Sequence, residues 1–234
     1  MKTKELLSSW GIEFDQVNVE ENQPAVDELK RLGARGVPTV VLGERIVYGW
    51  QPSDLAALVG VPYREDPKLD PATLAQRLDR ILVAAQRAIR QVPDEQLETK
   101  TPKRDRTLRN LAYHIFRLSM GFIDCLEQNR FPEAWLTEEA PVTIQTAGHI
   151  AAYGASVREC LAEWFKNASD DMFADHVSTY YGDQSVHALL ERTTWHAAQH
   201  LRHVYALMEM MDITPETPLD PSDLEGLPLP DSLW

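Results

Sequence analysis

Three histidines near the end of the chain share one face of a predicted helix. His196, His200 and His203 lie in the segment TTWHAAQHLRHVYALMEM, at offsets of four and seven residues. At about 100° per residue on an ideal helix, their directions are about 0°, 40° and -20°, at the edge of the apolar stripe. Histidines at i and i+4 lie about one turn apart, which lets a single divalent ion bind both imidazoles. The spacing is therefore compatible with a metal site.

His114 is the candidate for a third ligand. It lies in LAYHIFRL, on the same apolar stripe as its leucine and isoleucine neighbours. Three neutral imidazoles on two facing helices suit zinc or nickel and leave positions open for water or substrate. The alternative is a set of hydrogen-bonded core histidines, and the spacing alone leaves both interpretations open. His203 is expected to support a ligand or to face solvent.

Helical periodicity defines the part of the chain that must position these histidines. Four long amphipathic segments follow residue 70, and prolines or a glycine separate them. Their predicted ranges are 71–91, 105–129, 143–167 and 183–212. Four helices of this length predict a four-helix bundle over residues 71–212, of the up-and-down type. Residues 213–234 are rich in proline and acidic residues and are expected to be an extended or disordered tail.

A bundle with a histidine on its second helix and H-x-x-x-H on its last resembles the DinB-like superfamily, over about residues 69–211. The resemblance implies that His114, His196 and His200 are metal ligands. The superfamily includes metal-dependent enzymes that attach low-molecular-weight thiols such as bacillithiol or mycothiol to electrophiles, and thiol-dependent isomerases. It also includes members that have lost the metal.

The first 61 residues show a different pattern, with short alternating elements in the order α-β-α-β-β-α. They include a strand over residues 13–19 and two strands around Gly43, so the chain is expected to combine an α/β domain with an all-α domain. Residues 62–71 contain three prolines, and residues 62–70 are predicted to be a linker.

The motifs GVPTVV (36–41) and YGWQPSDL (48–55) resemble the second part of a glutaredoxin, a thioredoxin-like fold. The resemblance implies a cis Val37–Pro38 bond and a thiol-docking surface at Val37, Pro38 and Trp50. That family's chemistry needs a Cys-x-x-Cys before the first helix, but no cysteine precedes Cys125. A late start assignment and a degenerate remnant both explain why the first strand and the thiols are missing. Without them, no dithiol exchange is expected.

Composition narrows the classes of function. The formal net charge is -13, which disfavours nucleic acid and anionic membranes as partners, and residues 212–234 contain six acidic residues and no basic one. Two cysteines and no apolar leader favour a cytoplasmic protein, with both thiols expected to be buried. Five basic residues lie between Lys100 and Arg109, and Arg109 is predicted to receive an anionic substrate near His114.

The sequence predicts a metal-dependent thiol transferase or isomerase that uses a low-molecular-weight thiol and an electrophile. Two alternatives stay open: a non-enzymatic thiol or stress adaptor whose bundle forms a homodimer, and a metal-dependent hydrolase. The hydrolase would need a nearby base, yet Glu191 points about 140° away from His196.

Overall fold

The structure is a computed structural model that describes residues 2–19, 22–34, 37–49, 51–62, 68–102, 106–229 and 233. The chain divides into two compact units, residues 1–67 and 68–234. The first unit therefore corresponds to the predicted α/β domain and part of the linker. The second contains the bundle together with the tail.

The N-terminal unit contains three helices and one antiparallel hairpin among its described residues. The helices are α1 (Lys2–Ser9), α2 (Gln23–Arg31) and α3 (Pro52–Val59), and the strands are β1 (Thr39–Leu42) and β2 (Arg45–Tyr48). The hairpin pairs Thr39 with Tyr48 and Leu42 with Arg45. Three buried leucines from α1 and α3 form its small core: Leu7, Leu55 and Leu58.

The predicted strand at residues 13–19 is wrong, because these residues form no regular structure and Phe14 and Val17 are exposed. A strand needs a neighbour to satisfy its backbone groups, and the one sheet described in this unit is the β1–β2 hairpin. The Val37–Pro38 bond is cis, as the resemblance implies. Trp50 lies outside the described residues.

Four long helices build the second unit: α4 (Pro71–Arg90), α5 (Leu108–Gln128), α6 (Ala147–Asn167) and α7 (Val186–Met210). Each begins at a side chain that accepts a hydrogen bond from a backbone N–H three residues later, which satisfies a donor that the first turn leaves unpaired. The caps are Asp70, Thr107, Thr146 and Ser185. No helix among the described residues combines the length and the apolar character needed to cross a membrane.

The bundle is not the simple up-and-down arrangement that was predicted. Helices α4 and α5 each pack mainly against α6 and α7, and α4 touches α5 only slightly. Consecutive helices α4 and α5 therefore lie across a diagonal. The segment between them, residues 91–107, is long enough to make that crossing, which the helical periodicity of the sequence does not reveal.

One glycine permits a close approach between α5 and α6. An ideal Cβ at Gly154 would lie 2.6 Å from a ring carbon of Phe116, whose side chain is fully buried. Phe116 follows His114 by two residues, so this contact helps to fix the level of the histidine in the bundle.

A small sheet that the sequence analysis did not predict connects the helices of this unit. It contains β3 (Arg130–Phe131), β4 (His176–Thr179) and β5 (Gly182–Ser185), in the order β3-β4-β5. β3 and β4 are parallel, and β4 and β5 form a hairpin that leads into α7.

The described part of the tail, residues 213–229, is better ordered than the sequence suggested. A short 3₁₀ helix covers Pro221–Leu224, and Leu227 is part of the hydrophobic core. The buried carboxylate of Asp223 lies 2.6 Å from the guanidinium of Arg80 on α4. The tail is therefore packed along the bundle, because its leucines supply apolar surface that proline and acidic content alone do not disclose.

Candidate metal centre

Helices α5 and α7 bring His114, His196 and His200 together. Each offers one ring nitrogen, and these three atoms all lie within 4.8 Å of one another. The ring centroids are 5.1 Å apart for His114 and His196, 5.0 Å for His114 and His200, and 4.4 Å for His196 and His200. His114 and His200 are buried, whereas His196 keeps part of its surface accessible.

The donor spacing fits a divalent ion. The Nε2 atoms of His196 and His200 are 3.1 Å apart. Two nitrogens bound to one tetrahedral zinc would lie about 3.3 Å apart. Two lone pairs at such a distance repel, so either a proton on one nitrogen or a shared cation must lie between them. Three imidazoles also leave a fourth coordination position for a ligand.

The surroundings of His196 favour its neutral form. Burial lowers the pKa of His196 well below the ordinary value, and the neighbouring His200, His114, Arg192 and Arg106 lower it further. Only a neutral imidazole has a lone pair to give to a metal. This histidine is therefore ready to act as a ligand at neutral pH.

His203 lies outside the trio. Its Nδ1 is 3.1 Å from Nδ1 of His200, on the side of that ring opposite the nitrogen that faces His196. A supporting role for His203 stays a prediction.

Two arginines flank the trio, and neither is Arg109. Arg106 donates to the carbonyl of Leu136 at 3.0 Å, and Arg192 donates to the hydroxyl of Tyr180 at 3.2 Å. Arg192 also lies over the ring of Tyr181, at 4.8 Å from its centroid. Burial raises the pKa of Tyr181 to about 12, so this phenol is neutral and does not cancel the positive charge.

Sequence reasoning missed Arg192 although a signal was present. Arg192 precedes His196 by four residues, and this spacing places two side chains on one helix face. Arg109, which was selected for its place before His114, instead pairs with Glu98 at 2.8 Å and donates to the carbonyl of Ala140. A docking role for Arg109 stays a prediction.

The other predicted residues lie on the surface or in the core. Val37 and Pro38 are exposed, and their docking role stays a prediction. Burial raises the pKa of the Cys125 thiol to about 11, which keeps it protonated at neutral pH. Cys160 is exposed, so the expectation that both cysteines are buried is wrong for this residue. It lies on the solvent side of α6.

Comparison with known families assigns both units. Residues 77–204, more than half of the chain, match the profile of the DinB superfamily. The chain belongs to the DinB superfamily. Residues 1–47 match the glutaredoxin family, in agreement with the fold expected for the first unit. No curated protein matches this DinB-superfamily chain closely in sequence.

A solved structure supports the fold of the bundle. YfiT from Bacillus subtilis, described as a probable metal-dependent hydrolase with an unusual four-helix bundle topology, matches with a TM-score of 0.53 at 16% sequence identity. The match covers 66% of this chain and 96% of YfiT. At this identity the likeness concerns the fold.

Proposed function

We propose that this DinB-superfamily chain binds one divalent ion, zinc or nickel, through His114, His196 and His200, and acts as a metal-dependent thiol transferase or isomerase. The observation that carries the proposal is the convergence of three imidazole nitrogens on two facing helices. Such an ion would lower the pKa of a low-molecular-weight thiol bound at its open position, so that the thiolate attacks an electrophile.

The charges around the trio support an anionic ligand. Besides burial, the groups that lower the pKa of His196 are the other two histidines of the trio and the arginines Arg106 and Arg192. Cations near the open position stabilise a thiolate or a carboxylate relative to its protonated form. Trp195, whose ring centroid is 6.0 Å from that of His196, adds an apolar surface beside the same ligand.

Helices α5 and α7 and a group of aromatic rings hold the histidines and Arg192 in place. His114 and His200 are fixed in the apolar stripes of α5 and α7, and Arg192 is held against the aromatic rings of Phe131, Tyr180 and Tyr181. Preorganised positive groups stabilise a developing anion without reorganising during the reaction.

Metal analysis tests the first part of the proposal. After reloading at pH 7.5, the wild type is expected to hold about one equivalent of zinc or nickel, and His114→Ala and His196→Ala to lose it. His187→Ala is the matched control, because His187 lies on α7 but bonds to the carbonyl of Leu69 at 2.7 Å, away from the trio. No metal in the reloaded wild type would refute the enzyme and favour the adaptor alternative.

Cobalt substitution tests the thiol. Cysteine, glutathione, bacillithiol and mycothiol are added in turn to the cobalt-loaded protein, and one of them is expected to produce a thiolate-to-cobalt charge-transfer band. That band should be absent in His196→Ala and retained in His187→Ala.

A metal-dependent hydrolase is the second candidate, favoured by the fold shared with YfiT. Hydrolysis would be assisted by a base, and the cluster of possible ligands among the described residues consists of three histidines, without a carboxylate. If the protein cleaves ester or amide substrates in a metal-dependent way and no thiol produces the cobalt band, the hydrolase is favoured over the thiol transferase.

A further inference from the structure

A cleft of about 510 Å³ lies where α4, α6 and the tail meet. Its described lining residues include three arginines, Arg87, Arg90 and Arg158, and one acidic residue, Glu216. None of these lining residues belongs to α5 or α7, which carry the histidine trio. The volume is typical of a site for a small molecule. The chain has a net charge of -13, so a cleft lined by three cations has the opposite character to the chain as a whole.

The guanidinium of Arg158 is held in a fixed orientation. Its Nε and Nη2 donate to the carboxylate of Asp79 at 2.7 and 3.2 Å, and its Nη1 donates to Oε1 of Gln86 at 3.2 Å. Gln86 is buried, and its Nε2 donates to the carbonyl of Ala151 at 2.7 Å, so its amide oxygen is turned toward Arg158. A guanidinium has five N–H groups, so one N–H on each Nη of Arg158 is left for a ligand.

The tail forms the rim of the cleft. Nε of Arg87 donates to the carbonyl of Glu216 at 3.1 Å, and the backbone N–H of Glu216 donates to Oε1 of Gln91 at 2.8 Å. Arg87 also donates through Nη2 to the carbonyl of Thr217. Both acceptors of Arg87 are uncharged carbonyls, so these bonds do not neutralise its positive charge.

Arg90 differs from the arginines nearer the start of α4. Arg77 donates to the carbonyl of Glu225, and Arg80 pairs with Asp223 at 2.6 Å, so both hold the tail. Within the part of the chain that the structure describes, Arg90 has no hydrogen bond or ion pair, and its side chain is exposed. All five of its N–H groups are therefore available at the cleft.

The charges and donors of the cleft suit a phosphate group. Three guanidinium groups line the cleft, Asp79 pairs with Arg158, and Glu216 lies at the rim, which leaves an excess of one positive charge. A planar carboxylate has two oxygens and matches a single guanidinium fork. A phosphate group has three acceptor oxygens that point in different directions and a charge of about -1.5 to -2. Donors that come from two helices therefore favour phosphate over carboxylate.

We propose that this cleft binds the phosphate group of a small phosphorylated molecule. Arg90 and Arg158 donate to the phosphate oxygens with N–H groups that the protein itself does not use, and Arg87 supplies a third positive charge. Since the lining residues lie on α4, α6 and the tail, the proposal does not depend on the metal site. It adds a second binding site to the bundle.

Inorganic phosphate is the probe. It is titrated into the metal-free full-length chain at pH 7.5 and low salt, and binding is followed by backbone amide spectra. Saturable shifts are expected for residues 83–91 and 155–161, with an affinity at least about threefold higher than that of succinate. The absence of saturable shifts in these ranges would overturn the proposal, and so would succinate binding that is as tight as that of phosphate.

Two substitutions remove the donors. Arg90→Gln and Arg158→Gln are each expected to weaken phosphate binding by about tenfold, because each loses charge-assisted hydrogen bonds. Arg90 is exposed, so its variant tests the site without disturbing the core. Arg158→Gln leaves Asp79 and the buried Gln86 without their partner, and its fold is checked by circular dichroism. Arg130→Gln is the matched control, since it removes another exposed arginine of the same unit, and it should change the affinity less than twofold.

Glu216→Gln tests the sign of the ligand's charge. This change removes the carboxylate at the rim and keeps the main-chain bonds to Arg87 and Gln91. The variant is expected to bind phosphate at least as tightly as the wild type. Weaker binding would contradict an anionic ligand in this cleft.

Two other outcomes would also overturn the proposal. Arg90 lies in the last turn of α4, where a cation stabilises the negative end of the helix dipole. If Arg90→Gln lowers the stability to urea but leaves phosphate affinity unchanged, that is its role. Arg192→Gln, beside the trio, should keep the affinity of the cleft. Loss of binding in Arg192→Gln, with full affinity in Arg90→Gln and Arg158→Gln, would place the phosphate at the histidines instead.

Discussion

The two units of this chain differ in whether the residues that carry their family resemblance are part of the hydrophobic core. In the helical unit, the candidate ligands His114 and His200 are themselves buried in the apolar stripes of α5 and α7. In the N-terminal unit, the glutaredoxin-like residues Val37 and Pro38 are exposed, and the core is a group of three leucines. The candidate ligands are part of the core in the helical unit, whereas the glutaredoxin-like residues Val37 and Pro38 lie outside the core of the N-terminal unit.

This difference has an energetic consequence. A ligand or a substitution that acts on the histidine trio must change the packing stability of the whole bundle, because the same helix faces supply both. Changes on the surface of the first unit should leave its folding nearly unaffected. The predictions below compare the units on this basis, in order of their expected effect on the free energy of unfolding.

The largest effect is expected from the metal. At a free zinc concentration of about 1,000 times the dissociation constant, binding to the native state adds about 4 kcal/mol to its stability. Hydrogen exchange read by mass spectrometry should show slower exchange, by up to about 1,000-fold, for the most protected amides of α5 and α7. Peptides from residues 2–62 should show no change.

The control for this prediction is His196→Ala, in which zinc should protect neither unit. Equal metal-dependent protection of both units would contradict the separation of site and core, and so would protection confined to the first.

The second effect comes from a matched pair of glycines on α6. Gly154→Ala places a Cβ against the buried ring of Phe116 and is expected to destabilise the helical unit by about 1–3 kcal/mol. Gly148→Ala meets no atom closer than 3.7 Å and should be neutral or stabilising, since alanine favours a helix. Urea unfolding followed by circular dichroism measures both. Equal stabilities would show that Phe116 can move away.

The elements that could be predicted from the sequence are those with local signals. The four bundle helices begin and end within a few residues of their predicted ranges, because apolar periodicity and the caps Asp70, Thr107, Thr146 and Ser185 are all local features. The convergence of His114 with the H-x-x-x-H pair was predicted for the same reason, together with the superfamily resemblance.

The features that could not be predicted depend on distant partners. β3 has two residues and pairs with β4, which begins at His176, so neither strand carries a pattern of its own. Residues 13–19 do carry a strand pattern but form no strand in the structure. The bond between His203 and Leu233 joins residues 30 positions apart, and no spacing rule on α7 indicates it.

The third effect is a pH dependence of the metal-free helical unit. The folded-state pKa of His196 is lowered by burial and by its neighbours, so between that value and the unfolded pKa of about 6.5 the unfolded chain binds more protons. Stability is therefore fully present above about pH 6.5 and decreases as the pH falls below it. One titrating group limits the slope to about 1.4 kcal/mol per pH unit.

Urea titrations of the metal-free protein from pH 5 to 8, with wild type and His196→Gln, measure this slope. The variant should lose a large part of it, whereas His176→Gln, which replaces an exposed histidine of β4, should keep it. A slope of opposite sign would mean that the trio is stabilised by protonation, which is incompatible with three neutral ligands.

The smallest perturbation is a thiol label, which changes no residue and reports whether the units open independently. Burial, together with the neighbouring Asp124, raises the pKa of Cys125 to about 11, so at pH 8 only about one thiol in a thousand is ionised. Cys160 is exposed on α6. Because residues 1–67 contain no cysteine, both thiols report on the helical unit. The native chain should react with about one equivalent of a thiol reagent, at Cys160, and the second equivalent should react only when the bundle opens.

Increasing urea should expose amides of residues 2–62 to exchange before Cys125 reacts, if the small leucine core melts first. Simultaneous exposure of Cys125 and the N-terminal amides would show that the units unfold together. Rapid reaction of both thiols in the native protein would contradict the burial of the apolar stripe of α5, which also contains His114.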